Sequence, residues 1–250
     1  MLVSSCDKYE DLWRPFFTLF FRYWPDCPYP VYLCSDSLAF DDQRVRSIAA
    51  GHTDWSSRLA AGLSQLQTRY VLLLLEDFFL RQPVRTATVA RALNCMAPLD
   101  AVMVRLIPRP GPTSLITGMS DVGLVQPGAP YRVSTQAAIW DRATLLELLR
   151  PGESIWEFEI AGSIRSCATR GNFLCCWESA MPYGHHVVER GRWFRHERRR
   201  YRSANIGCDF GRREVKTVSE QMYWRLGHLR SVLLSLLSSR QRQWLVRNLL

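Results

Sequence analysis

Tyr70-Val71-Leu72-Leu73-Leu74-Leu75-Glu76-Asp77-Phe78-Phe79-Leu80 is the stretch that decides the fold. An unbroken apolar run of this length reads as a strand buried on both faces. It is too short to cross a bilayer. Two adjacent carboxylates at its end are costly unless they are solvated, paired or bound to a cation. Ligands of open α/β sheets bind beyond the carboxyl ends of the strands. Glu76 and Asp77 are therefore candidates for holding a divalent cation and, through it, a phosphate. Such short acidic pairs also occur simply where a strand surfaces.

Working outward, the neighbouring segments alternate strand and helix. Leu2 to Ser5 reads as a strand, Glu10 to Trp24 as an amphipathic helix and Val31 to Cys34 as a second strand, so a βαβ unit with parallel strands is expected. Asp54 or a nearby serine can cap a helix running to about Thr68, which feeds the central strand. Thr86 to Met96 reads as a helix and Asp100 to Leu106 as a strand. The Pro- and Gly-rich stretch 108–130 reads as one long loop. Tyr131 to Trp140 and Phe173 to Trp177 read as strands, with a short helix from Arg142 to Leu149. Beyond Arg213 the pattern is helical, over Val218 to Leu229 and Val232 to Leu250.

The chain has 250 residues, 47% hydrophobic and 22% charged, enough for a full core. Its net charge of +9 favours acidic partners such as nucleotide diphosphates, anionic lipid or nucleic acid. The eight cysteines include no CxxC pair, which argues against structural zinc and fits a reduced compartment. With neither a signal-peptide pattern nor a membrane-length apolar run, the sequence points to the cytoplasm.

Other side chains offer chemistry. Trp156-Glu157-Phe158-Glu159 places an aromatic face beside carboxylates that could bind or deprotonate a sugar hydroxyl. On a helix, residues two apart point to different faces, so only one of Glu157 and Glu159 can be the base. Asp36 follows the second strand and could bind a ribose, or could simply be a turn aspartate. His186 could be a metal ligand. Arg165, Arg190 and Arg192 could neutralise a diphosphate, since guanidinium matches phosphate geometry.

Ser4-Ser5-Cys6-Asp7-Lys8-Tyr9, Tyr23-Trp24-Pro25-Asp26, Trp55-Ser56-Ser57-Arg58-Leu59, Leu74-Leu75-Glu76-Asp77-Phe78-Phe79, Val133-Ser134-Thr135-Gln136-Ala137-Ala138-Ile139-Trp140, Trp156-Glu157-Phe158-Glu159 and Glu189-Arg190-Gly191-Arg192-Trp193 follow one another in this order. Over roughly residues 1–195 this series resembles the GT-A-fold glycosyltransferases of bacterial surface-polysaccharide synthesis. The resemblance implies an α/β, Rossmann-like, mostly parallel sheet flanked by helices over residues 1–200; residues 201–250 have no counterpart in it and read from their own pattern as a basic amphipathic helical tail. It implies transfer of a sugar from a nucleotide-diphosphate donor to a saccharide acceptor, expected to be lipid-linked, with inversion. Glu76 and Asp77 take the place of the family's Asp-x-Asp motif for Mn²⁺ or Mg²⁺, here written Glu-Asp. By the same resemblance Asp7, Asp36 and Arg58 fall at nucleotide contacts, Gln136 and Trp140 near the donor sugar, and Glu157 or Glu159 at the base. The tail's basic amphipathic pattern suggests peripheral contact with anionic membrane at the inner face of the plasma membrane. The competing reading is a non-catalytic protein that binds nucleic acid or an anionic surface through the basic cluster Arg190–Arg202. It leaves the acidic pairs unexplained, and nucleic acid is not the expected partner.

Overall fold

The computed structural model describes residues 1–184 and 186–222. Strands β1 (Leu2–Ser4), β2 (Val31–Ser35), β3 (Val45–Ala49), β4 (Tyr70–Leu75), β5 (Ala101–Arg105), β6 (Ser114–Ile116), β7 (Met119–Leu124), β8 (Ala138–Asp141) and β9 (Asn172–Cys176) form one nine-stranded sheet. Its order is β3-β2-β1-β4-β8-β5-β9-β7-β6. A two-stranded ribbon, β10 (Val188–Glu189) and β11 (Arg192–Trp193), lies apart from it. The helices are α1 (Glu10–Tyr23), α2 (Trp55–Ser64), α3 (Thr86–Asn94), α4 (Arg142–Leu148), α5 (Ile155–Arg165) and α6 (Arg195–Tyr201).

Strand β4 ends at Leu75, so Glu76 and Asp77 sit in the turn that follows. Its alternate side chains enter two cores. Leu72 and Leu74 pack with Leu12, Phe16 and Phe20 of α1 and Val89 of α3. Val71 and Leu73 pack with Leu59 and Leu63 of α2, Leu145 of α4 and Phe158 of α5. Burial on both faces is why β4 reads as a continuous apolar run. Helix α2 lies close against β2: a Cβ on Gly62 would come within 2.6 Å of Cys34 Sγ. Asp54 caps that helix by accepting from Ser57 N at 2.9 Å.

The α/β class expected from the sequence holds, with helices on both faces of the sheet. Seven of the nine strands run the same way, so the sheet is mostly parallel as expected, with β7 and β8 running opposite. Pairs β1–β2, β1–β4, β2–β3 and β5–β9 are parallel, while β8 enters antiparallel between β4 and β5. Residues 108–130 are not one loop, since they carry the β6–β7 hairpin that extends the sheet beyond β9. The expected strand 131–140 is paired only from Ala138. Ahead of it Arg132 is buried, donating to Val125 O and Ser166 Oγ.

Residues 201–217 pack on the body instead of starting a separate appendage. Arg213 forms a buried ion pair with Asp11 at 2.6 Å, Lys216 pairs with Glu189 at 2.5 Å, and Phe210 lies 5.3 Å from the Trp193 ring. The tail helix expected at Val232 to Leu250, with its membrane role, lies outside the described residues, as does His185. Among the described residues no helix is long and apolar enough to cross a membrane.

Candidate functional site

Strands β1, β2, β4 and β5 run the same way, so their carboxyl ends share one edge of the sheet. That edge gathers Asp7, Asp36, Glu76 with Asp77, and the segment 134–137 leading into β8.

Asp7, Asp36 and Arg58, expected at nucleotide contacts, come together and bind one another. Asp7 accepts from the backbone N–H groups of Asp36, Ser37 and Leu38 at 3.0–3.1 Å and from Ser37 Oγ at 2.6 Å. Burial works to raise its carboxyl, and these donors outweigh that and hold it below the ordinary range. Asp36 accepts from Asp7 N at 2.8 Å and from Arg58 Nη1 at 2.7 Å. Arg58 also donates to Ser5 O and Thr53 O. The three side chains therefore lock together the ends of β1 and β2 and the entry to α2. They shape the floor of the edge, where a nucleotide would meet mainly the loops they fix. Among the described residues the one group of His, Cys, Asp or Glu side chains with ligand atoms mutually within 4.8 Å is Asp7, Asp36 and His52. It fits a dication poorly, because the carboxylate oxygens already accept N–H bonds and Arg58 sits on Asp36.

Glu76 and Asp77 differ. Glu76 is 8% exposed, and its carboxyl is pushed up to about 7, chiefly by burial, with Arg58 and Arg213 pulling it down. Asp77 is raised well above the carboxylate range by burial and then by Glu76. Asp77 Oδ1 is buried without a hydrogen-bond partner. Two adjacent carboxyls that resist ionisation, one with an unmatched oxygen, are what a hard divalent cation would relieve. The residues fit such an ion, with phosphate oxygens and water completing its shell.

The segment after Pro182 closes over this pair. Val187 N donates to Asp77 O at 3.1 Å, which brings the His186 backbone alongside the acidic turn. His186 Nε2 lies 3.7 Å from Glu189 Oε1. Burial raises the Glu189 carboxyl less than His186 and Lys216 lower it, so it is held down to about 2. Gln136 is buried, and its Oε1 accepts from Tyr183 Oη at 2.9 Å, while Tyr183 stacks on Phe78 at 4.6 Å. Gln136 is thus tied through Tyr183 to the residue following Asp77.

The two glutamates of α5 separate by role. Glu157 is exposed and completes a capping box with Ser154, accepting from Ser154 N at 2.8 Å; that bond holds its carboxyl below the ordinary range. Glu159 turns inward. Its Oε1 accepts from Thr135 N at 2.7 Å, Thr135 Oγ1 at 2.9 Å and Ser134 Oγ at 3.2 Å, on the loop that carries Gln136.

Three expected residues lie elsewhere or are spent. Trp140 is fully buried in β8, cross-strand from Val71 and Met103 and edge-on to Phe173, and is a core residue. Arg165 binds both oxygens of Glu153 at 2.7 Å and the Leu148 carbonyl, so it is a structural clasp. Arg192 pairs with Glu214 and Glu220. Arg190 holds its guanidinium 5.8 Å from the Trp156 ring. The basic stretch 190–202 is partly packed inside the fold, since Glu197 of α6 is buried and paired with Arg81. Arg213 and Tyr183 carry no sequence signal for this site. Each reaches it through contacts between distant parts of the chain.

No protein-family model matches the chain, and no curated protein sequence matches it. Solved structures with a similar arrangement include Staphylococcus aureus TarS 1-349, at TM-score 0.46 and 13% identity, covering 73% of this chain and 58% of that one. The same TarS fragment in complex with UDP gives TM-score 0.48 and 13% identity over 73% of this chain and 58% of that one. Its complex with UDP-GlcNAc gives 0.44 and 14% over 74% and 59%. The chain thus spans under two thirds of the length of these structures.

Proposed function

We propose that the protein is a glycosyltransferase that uses a nucleotide-diphosphate sugar. The observation that carries this reading is the buried Glu76 beside the half-buried Asp77, whose Oδ1 has no hydrogen-bond partner. They sit in the turn after the central strand, beside the loops that Asp7, Asp36 and Arg58 fix, at the edge where α/β sheets bind ligands. The loops after β1 and β2 hold the nucleoside. Asp77 and Glu76 would hold Mn²⁺ or Mg²⁺, and such an ion would supply electrostatic stabilisation to the departing nucleoside diphosphate.

Glu159 serves as the base. Its side chain is fixed by Ser134 and Thr135, whereas Glu157 is occupied as a helix cap. The acceptor hydroxyl gives its proton to Glu159, its oxygen bonds to the anomeric carbon, and the bond from that carbon to the diphosphate oxygen breaks. A single displacement of this kind inverts the anomeric centre. Gln136, held by Tyr183, orients the donor sugar. The acceptor is a saccharide.

The test is a thermal-shift panel of nucleotide sugars with and without Mn²⁺. A ligand at about a hundred times its Kd raises native stability by about 2.7 kcal/mol. One nucleotide-sugar class should raise the melting temperature in a Mn²⁺-dependent way. A panel in which none does overturns the reading.

A further inference from the structure

Helix α5 is apolar on two faces. Phe158 and Gly162 are buried against the core, and a Cβ on Gly162 would lie 3.2 Å from Val133. On the outer side Trp156 is 52% exposed, Ile160 63% and Ile164 72%. Residues four apart share a helix face, so these three form one stripe along the outside of the helix. A solvent-facing helix normally turns charged or polar residues outward, so the stripe calls for an occupant.

The rim of the stripe indicates which one. Arg190, exposed at the turn of the β10–β11 ribbon, lies over Trp156 at one end. Arg170 is exposed just past the other end. The exposed carboxylate of α5, Glu157, is tied back to Ser154. Helix α6, which follows the ribbon, exposes Arg195, Arg199 and Arg200. The three apolar side chains present on the order of 400 Å², given that a large aromatic side chain buries about 150–250 Å². A protein interface of roughly 800 Å² per partner is a little over half apolar, so a stripe of this area would need a nearly equal polar surround, and the surround here is arginine. A narrow apolar stripe with a tryptophan and flanking arginines is instead the pattern of a helix lying in a membrane interface.

We infer that the outer face of α5 docks on an anionic lipid surface. Trp156, Ile160 and Ile164 sit at the headgroup boundary, and Arg190 and Arg170 face the lipid phosphates. The inference goes beyond the transferase reading and does not depend on it. If both hold, Glu159, on the inner side of the same helix, works within a helix diameter of the bilayer.

The experiment is flotation of the full-length protein with vesicles of phosphatidylcholine alone or with roughly one third phosphatidylglycerol, at low and high salt. The variants are Ile160→Ser/Ile164→Ser and, separately, Arg190→Gln. Wild type should float with anionic vesicles and be released by salt. The double variant should lose about tenfold or more in partitioning, with its melting temperature and its soluble nucleotide-sugar binding unchanged, because both side chains face solvent. Arg190→Gln should weaken binding to anionic vesicles only. The inference is overturned if wild type stays with the soluble fraction. It also fails if the double variant floats like wild type, which would assign binding to another segment such as the chain beyond Met222. A third contrary result is that the double variant alters only the oligomeric state in sedimentation without lipid, which would make the stripe a contact between copies. Loss of nucleotide-sugar binding in wild type with flotation intact would sink the transferase reading and leave this one standing.

Discussion

Replacing Glu76 by Gln should change how stability depends on pH. The folded protein holds the Glu76 carboxyl near 7 against an ordinary 4.5, with burial as the main cause and Arg58 and Arg213 only partly offsetting it. A carboxyl raised on folding is protonated in the native state over a range where the unfolded chain has already lost its proton. Below about 4.5 the two states agree and no penalty exists; as pH rises through 7 the native state must either keep an extra proton or bury a charge. The rise of about 2.5 units, at about 1.4 kcal/mol each, makes the wild type lose about 3 kcal/mol between those limits. Gln keeps the shape and stays neutral. The stability difference between variant and wild type should therefore grow in the variant's favour from pH 5 to pH 8, by up to about 3 kcal/mol. Urea unfolding with a chelator present, at four pH values across that range, measures it. A difference that stays flat with pH, or a wild type that gains on the variant at pH 8, would refute the claim that Glu76 is buried and uncompensated.

The remaining predictions concern single contacts. Arg213→Ala leaves Asp11 as an unpaired buried carboxylate and should cost about 3–5 kcal/mol in chemical unfolding. It also removes a positive charge near Glu76, so the pH dependence above should steepen. Glu159→Gln should lower transfer by about a hundredfold to ten-thousandfold while nucleotide-sugar binding persists, as general-base removal does. Glu157→Ala should transfer at near wild-type rates and lower the denaturation midpoint only slightly, since it removes one half of a capping box. Equal kinetics in the two glutamate variants would contradict the division of roles. Asp54→Ala removes the cap of α2 and should cost about 1 kcal/mol, read as a lower denaturation midpoint.

What the sequence made legible follows from how local each signal is. Strand β4 was readable because both of its faces are buried, so no polar residue interrupts it. Asp54 acts within three residues of itself, and capping patterns are local. Strand β3 was missed: in Val45-Arg46-Ser47-Ile48-Ala49 only Val45 and Ile48 are buried, so neither the apolar run nor strict alternation is present. The β6–β7 hairpin hides among prolines and glycines because it lies at the sheet edge, where exposure removes the apolar pattern. The antiparallel entry of β8 was invisible because strand direction is set by chain path and not by residue pattern. Asp7, Asp36 and Arg58 were placed together through motif order, though their mutual hydrogen bonding could not be foreseen. Arg165 was misjudged because a guanidinium on the sequence does not announce its partner, here Glu153. Trp140 was taken for a site residue from a motif and is core, because alternation along β8 points it to the face packed by Phe173.

The most direct test of the central claim is release of nucleoside diphosphate from a nucleotide-sugar panel by wild type and by Asp77→Asn, each with Mn²⁺ and with chelator. Asn keeps the volume of Asp77 and removes the charge that a cation needs. The account predicts cation-dependent release by wild type from at least one donor. It predicts a loss of most of that release in Asp77→Asn, with the fold intact by circular dichroism. Release that is equal in the two proteins, or absent from wild type across the panel, would contradict it.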